Sequence, residues 1–149
     1  MLRFKKINEI AKIPTRAKAG DAGLDVYSVE KSSITIKPGE KYKFPLGLAC
    51  EFPDNYVLLI QAKSGLASKY GITTIGNVVD SGYRGEIHAM LLNTGQENVI
   101  IEPGDKIAQL LLLACWTGEP MEAHFLSESE RGSGGFGSSG RKWLNILIY

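Results

Sequence analysis

Apolar and polar positions fall into short blocks with the period of strands. Ile34-Thr35-Ile36, Tyr56-Val57-Leu58-Leu59-Ile60, Ile87-His88-Ala89-Met90-Leu91 and Val99-Ile100-Ile101 are β-branched or apolar and bounded by turn residues. Pro38-Gly39, Pro53-Asp54 and Pro103-Gly104 punctuate them. Proline sets φ at the first corner of a turn, and Gly or Asp tolerates the backbone of the next position. The pattern predicts an all-β sandwich or barrel. One segment departs from it. Ser64-Gly65-Leu66-Ala67-Ser68-Lys69-Tyr70-Gly71 opens on a capping residue and closes on glycine, which predicts a single short helix with Ser64 as its N-cap. From Ile107 to Trp116 the chain is almost uniformly apolar, which predicts a strand buried on both faces. A 149-residue barrel has little interior to cover both, so the second face calls for another copy of the chain.

Composition narrows the function. Lys and Arg number 17 against 16 Asp and Glu, so no basic excess points to nucleic acid. No apolar run nears the ~20 residues of a membrane span, and the first residues lack a signal-peptide core. Cys50 and Cys115 sit in apolar stretches and read as core residues in a reducing compartment. That predicts the cytoplasm, or the nucleus or a host-cell compartment for a eukaryotic or viral source.

Several familiar chemistries are disfavoured. Gly132-Ser133-Gly134-Gly135-Phe136-Gly137 fits the dinucleotide fingerprint, yet the 12 residues after it leave no room for the helix and acid the fingerprint needs. No Walker A lysine occurs. His88 and His124 are far apart and neither cysteine has a partner at ligand spacing, so structural zinc is not expected. Magnesium stays open, because substrate phosphates and water often hold it with one or two carboxylates. The stretch Gly76-Asn77-Val78-Val79-Asp80-Ser81-Gly82-Tyr83-Arg84-Gly85-Glu86 is more informative. A hairpin there would bring Asp80 and Tyr83 together at its mouth, with Asp80 either capping backbone N–H groups or acting as a general base on water. Lys63 beside the start of the helix offers a cradle for phosphate. The Gly-rich stretch 131–140 has little apolar surface to bury, and reads as a flexible lid that orders on a ligand through Phe136.

Five motifs in order resemble those of the trimeric deoxyuridine triphosphate nucleotidohydrolases, the dUTPases. They are Ala19-Gly20-Asp21-Ala22-Gly23-Leu24-Asp25-Val26, Lys63-Ser64-Gly65-Leu66-Ala67, residues 76–86, Gly104-Asp105-Lys106-Ile107-Ala108-Gln109-Leu110, and residues 131–140. The resemblance implies a jelly-roll-type β-barrel over residues 1–130 and a C-terminal arm over 131–149 that closes on the nucleotide. It implies a homotrimer with sites at the subunit junctions. The implied reaction is hydrolysis of dUTP to dUMP and pyrophosphate, with Mg2+ as cofactor, which limits uracil incorporation into DNA and supplies dUMP.

The resemblance also implies roles. Asp80 would activate the attacking water, and Tyr83 would pack under the deoxyribose and refuse a 2′-hydroxyl. The backbone around Asn77 and Val79 would pair with uracil. Asp25 would organise waters around Mg2+. Lys63, Ser64, Gly65 and Gln109 would contact phosphates. On the arm, Arg131 would meet the γ-phosphate, Phe136 would stack on uracil, Gly137 would let the backbone approach, and Ser138 and Ser139 would add hydrogen bonds to phosphate.

Three departures stand out. Lys63 replaces the usual arginine and loses its bidentate fork. Asn77 stands where glycine is common, at a place where left-handed backbone is expected. Arg141-Lys142-Trp143-Leu144-Asn145-Ile146-Leu147-Ile148-Tyr149 extends past the usual ending, with an apolar content that suits docking as an added strand. Two other readings compete: the related dCTP deaminase, disfavoured by the Asp-x-x-Tyr core and the complete arm, and a nucleotide-gated binding protein with a protein partner, a role that some members of the family combine with hydrolysis.

Overall fold

A computed structural model describes residues 1–138 of the chain. It divides into two units, Met1–Thr117 and Gly118–Tyr149. The first holds every strand of the described residues: β1 (Arg3–Lys6), β2 (Leu24–Tyr27), β3 (Ile34–Ile36), β4 (Lys41–Pro45), β5 (Leu48–Glu51), β6 (Tyr56–Gln61), β7 (Ile72–Ile75), β8 (Val78–Val79), β9 (His88–Asn93), β10 (Val99–Ile101) and β11 (Lys106–Ala114). The helix α1 (Ser64–Tyr70) lies between β6 and β7.

All registered pairings are antiparallel. They form four small sheets, β1-β5, β10-β3, β2-β11-β6-β8 and β4-β9-β7. The result is an all-β, jelly-roll-type barrel with one short helix. Among the described strands no two consecutive ones pair, so the sheets are stitched by long-range contacts. The side chains that meet in the middle come from every sheet: Val26, Ile36, Phe44, Leu48, Leu58, Ile72, Leu91, Ile101 and Leu110 are fully buried. Asn93, also buried, spends its amide on the carbonyls of Ile36 and Glu97 and accepts from Gly95 N–H, so the polar group enters the core satisfied.

Strand β11 organises the largest sheet. Its core-facing Ala108 and Leu110 are fully buried, with Leu110 opposite Ile60 and Leu112 opposite Leu58. Among the described residues the other face is only partly covered. Leu111 is half-buried, Leu113 is 45% exposed, and Val78 on β8 of the same sheet is 62% exposed. Trp116, which the sequence pattern placed in the strand, lies beyond its end and is exposed.

Helix α1 begins one residue earlier than expected. Lys63, with extended backbone, is the N-cap and contributes no side-chain cap, while Ser64 is the first helical residue. The helix is too short to persist alone. It ends at Gly71, whose left-handed φ of 70° lets its N–H reach the carbonyls of Ala67 and Leu66.

Candidate functional site

The first two groups of interest lie together. Asp80 follows β8, and its carbonyl accepts the Tyr83 N–H at 3.1 Å to close a tight turn through Ser81 and Gly82. Arg84 folds back and donates to the carbonyls of Ser81 and Tyr83, bracing that turn. The expected hairpin is not a ladder: β8 pairs with β6, and β9 with β4 and β7. After the tight turn at Asp80–Tyr83 the chain makes no registered pairing with β8 before it enters β9. Asp80 and Tyr83 nevertheless line one cleft of about 240 Å³, with Val78, Val79, Glu86 and His88 among its walls. Among the described residues no side-chain hydrogen bond engages the Asp80 carboxylate. The capping alternative therefore finds no support among the described residues.

Asn77 does not take the left-handed backbone. That conformation falls to Gly76, at φ 65°, while Asn77 gives its carbonyl to Ile60 N–H at 2.9 Å and its amide N–H to the Thr74 carbonyl at 3.3 Å. Its side-chain oxygen is buried without a partner among the described residues. Val79 is a core residue, opposite Leu58.

A second cluster forms where β2, β11 and the start of α1 meet. Asp25 is only 6% exposed. One carboxylate oxygen is hydrogen-bonded to the Lys63 ammonium and the other lies 2.8 Å from the Lys106 ammonium. Burial pushes the Asp25 carboxyl up, but the hydrogen bonds and charges of Lys106 and Lys63 outweigh it and hold it below its ordinary value. Lys106, an exposed side chain, is held above its own ordinary range by Asp25. Gln109 sits opposite Asp25 on β2 and Gln61 on β6, and donates to the Ala62 carbonyl at 3.0 Å. A Cβ on Gly23 would collide with the Gln109 amide, so the glycine of the first motif makes room for the glutamine of the fourth. Ser64 and Gly65 lie exposed at the helix start, directly after Lys63.

No residue of this second cluster lines the Asp80–Tyr83 cleft. The chain thus assembles the expected residues into two groups. Lys106 was given no role by the sequence; its only signal was its place in the fourth motif.

The unit Gly118–Tyr149, taken by itself, carries the last group. The Arg131 side chain donates to the Gly134 carbonyl at 2.9 Å. Two successive turns shape the segment, with Gly134 N–H on the Arg131 carbonyl and Ser138 N–H on the Gly135 carbonyl. Phe136 takes a left-handed φ of 48°, next to Gly137 at 105°, with its ring fully exposed. For a non-glycine residue that backbone is strained. Ser139 and the 141–149 tail lie outside the described residues.

Among the described residues no group of three or more His, Cys, Asp or Glu side chains could hold a metal ion. Cys50 and Cys115 are free thiols, the first buried and the second half-buried. Burial pushes the Cys50 thiol up, which Arg84 partly offsets.

Comparison with known proteins places these features. The family model described as dUTPase matches residues 9–140. A deoxyuridine 5'-triphosphate nucleotidohydrolase of Clostridium novyi is 43% identical over 141 residues, covering 93% of this chain and 98% of its own. One from Gloeobacter violaceus is 41% identical over 130 residues, covering 86% and 88%. Among solved structures, the Staphylococcus bacteriophage 80alpha dUTPase with dUpNHpp superposes with a TM-score of 0.83 at 29% identity, covering 95% of this chain and 99% of that one. The chain belongs to the dUTPase family.

Proposed function

We propose that this chain hydrolyses dUTP to dUMP and pyrophosphate at a site completed by more than one copy of itself. The carrying observation is the single cleft that Asp80, with no side-chain hydrogen bond among the described residues, shares with Tyr83. Asp80 takes a proton from water as the water oxygen bonds to the α-phosphorus. The bond from that phosphorus to the bridging oxygen breaks, and pyrophosphate leaves. Such a displacement needs positioning and charge neutralisation more than covalent chemistry.

The remaining roles divide between the two clusters and the arm. Tyr83 lies under the deoxyribose, and the backbone at Asn77 and Val79 meets uracil. Lys63, Ser64, Gly65 and Gln109 meet the phosphates. Arg131, Phe136, Gly137, Ser138 and Ser139 belong to the arm that covers the nucleotide.

Two observations support a homotrimer. The partly covered apolar face of β11 and β8 is a surface that another copy can bury. Moreover, the two clusters line no common cleft within one chain, and a junction between copies would unite them.

An ammonium group on each carboxylate oxygen bars Asp25 from direct coordination of Mg2+, so it would act on the ion only through water. The ion is then held chiefly by the triphosphate, as hard, strongly hydrated Mg2+ commonly is. When bound, it neutralises charge on the phosphates. No helix among the described residues is long and apolar enough to cross a membrane, and the two free thiols suit a reducing, cytoplasmic setting.

The test is Asp80→Asn. The reading expects kcat for dUTP to fall by about a hundredfold or more, with dUTP still bound in calorimetry. An unaltered rate removes Asp80 from the reaction.

A further inference from the structure

Tyr83 is tied down by contacts that the proposed reaction does not call on. A Cβ on Gly85 would lie 2.5 Å from the Tyr83 hydroxyl and 2.6 Å from Cζ, so the ring rests directly across the Gly85 backbone. The Tyr83 hydroxyl donates to the Glu86 carbonyl at 2.9 Å. His88 Nδ1 lies 3.0 Å from that same carbonyl, and His88 Nε2 lies 3.8 Å from a Glu86 carboxylate oxygen. The other carboxylate oxygen accepts the Gly47 N–H at 2.9 Å.

Gly47 is a fixed point. A Cβ there would meet those of Asn8 and Ala11 at 2.7 and 2.8 Å, and its carbonyl accepts the N–H groups of Ile7 and Asn8. A continuous line of contacts therefore runs from a packed turn of the barrel, through the Glu86 side chain and carbonyl, to the phenol of Tyr83. Tyr83 itself is 45% exposed and belongs to no strand. Without that line its ring would be free to change rotamer.

We propose that Glu86 is a positioning residue for Tyr83, fixing the plane of the ring and so setting how strictly the cleft refuses a 2′-hydroxyl. The inference rests on the reading of Tyr83 as the surface beneath the sugar. Refusing one added oxygen by exclusion requires a wall that does not yield. A ring that can tilt opens the space the hydroxyl needs, and discrimination falls while the chemistry at phosphorus continues.

The experiment compares wild type with Glu86→Ala, Glu86→Asp and Glu86→Gln. It reads two quantities: the ratio of kcat/KM for UTP to that for dUTP, and the NMR order parameter of the ring-labelled Tyr83 in the nucleotide-free protein, assigned with Tyr83→Phe. Ala removes the link to Gly47, and Asp, one methylene shorter, no longer reaches it. Both are expected to raise the UTP:dUTP ratio about tenfold and to lower the ring order. Gln still offers an oxygen to Gly47 N–H and keeps both near wild type. If Ala does not fold, Asp, which retains the charge, carries the test. Rates for the two nucleotides that fall together at a fixed ratio, or an unchanged ring, would overturn the proposal. A wild type that hydrolyses neither nucleotide would defeat the substrate reading instead, and the ring order would still decide whether Glu86 holds Tyr83.

Discussion

The ammonium of Lys63 is hydrogen-bonded to the carboxylate of Asp25, joining the second motif of the chain to the first. Lys63 is thus already committed in the nucleotide-free protein, and Lys106 holds the other oxygen of the same acid. A phosphate that recruits Lys63 must draw it from Asp25, which Lys106 continues to neutralise. Lys63→Gln is expected to raise the KM for dUTP about tenfold while costing only about 1 kcal/mol of stability, because one partner of Asp25 remains. Steady-state kinetics and urea denaturation check the two halves. An unchanged KM would separate Lys63 from the phosphates.

The same cluster makes stability depend on acid. Asp25 titrates below its unfolded value, so the unfolded chain binds the proton first as pH falls. The stability it contributes is fully present above the ordinary carboxylate value of 3.8 and is lost as pH drops through the lower, folded value. Asp25→Asn should flatten this acid limb of the urea midpoint plotted against pH. A limb of unchanged steepness would assign the loss to other carboxylates.

Gly23 and Gln109 interlock closely enough to be separated by mutation. Gly23→Ala is expected to cost about 2 kcal/mol through overpacking, and to lower kcat/KM by displacing the Gln109 amide. Gln109→Ala should lower kcat/KM with a smaller stability loss. Equal activity in all three proteins would leave Gln109 a packing residue.

The partly covered apolar face predicts assembly. Leu113→Glu should produce a folded chain that sediments as a monomer and hydrolyses dUTP at a small fraction of the wild-type rate. A monomer at full activity would place the whole site within one chain.

Much of the barrel was legible because β3, β6, β9, β10 and β11 are apolar runs between turn residues. The strands that went unread lack that contrast. In β4, Lys41-Tyr42-Lys43-Phe44-Pro45 alternates, but its lysines and closing proline resemble a loop. In β5, Leu48 begins inside an apolar stretch with no boundary. The motifs located the site residues, since short-range spacing survives in sequence. Their partners did not show, because no local pattern records that Lys106 reaches Asp25 or that Glu86 anchors to Gly47. The helix cap moved from Ser64 to Lys63, and the left-handed position from Asn77 to Gly76, each by one residue. Residue type announces such turns, while backbone packing fixes their register.

In the proposed assembly, Asp80 of one copy works with Asp25 and Lys63 of another. Subunit mixing separates this arrangement from a site held within one chain. Asp80→Asn and Asp25→Ala chains, each inactive alone, are unfolded together, refolded as an equimolar mixture and assayed with dUTP. Random assembly of a cyclic trimer would restore about a quarter of the wild-type sites, and activity in proportion. A mixture as inactive as either parent, with mixed trimers confirmed by mass, would refute the shared site.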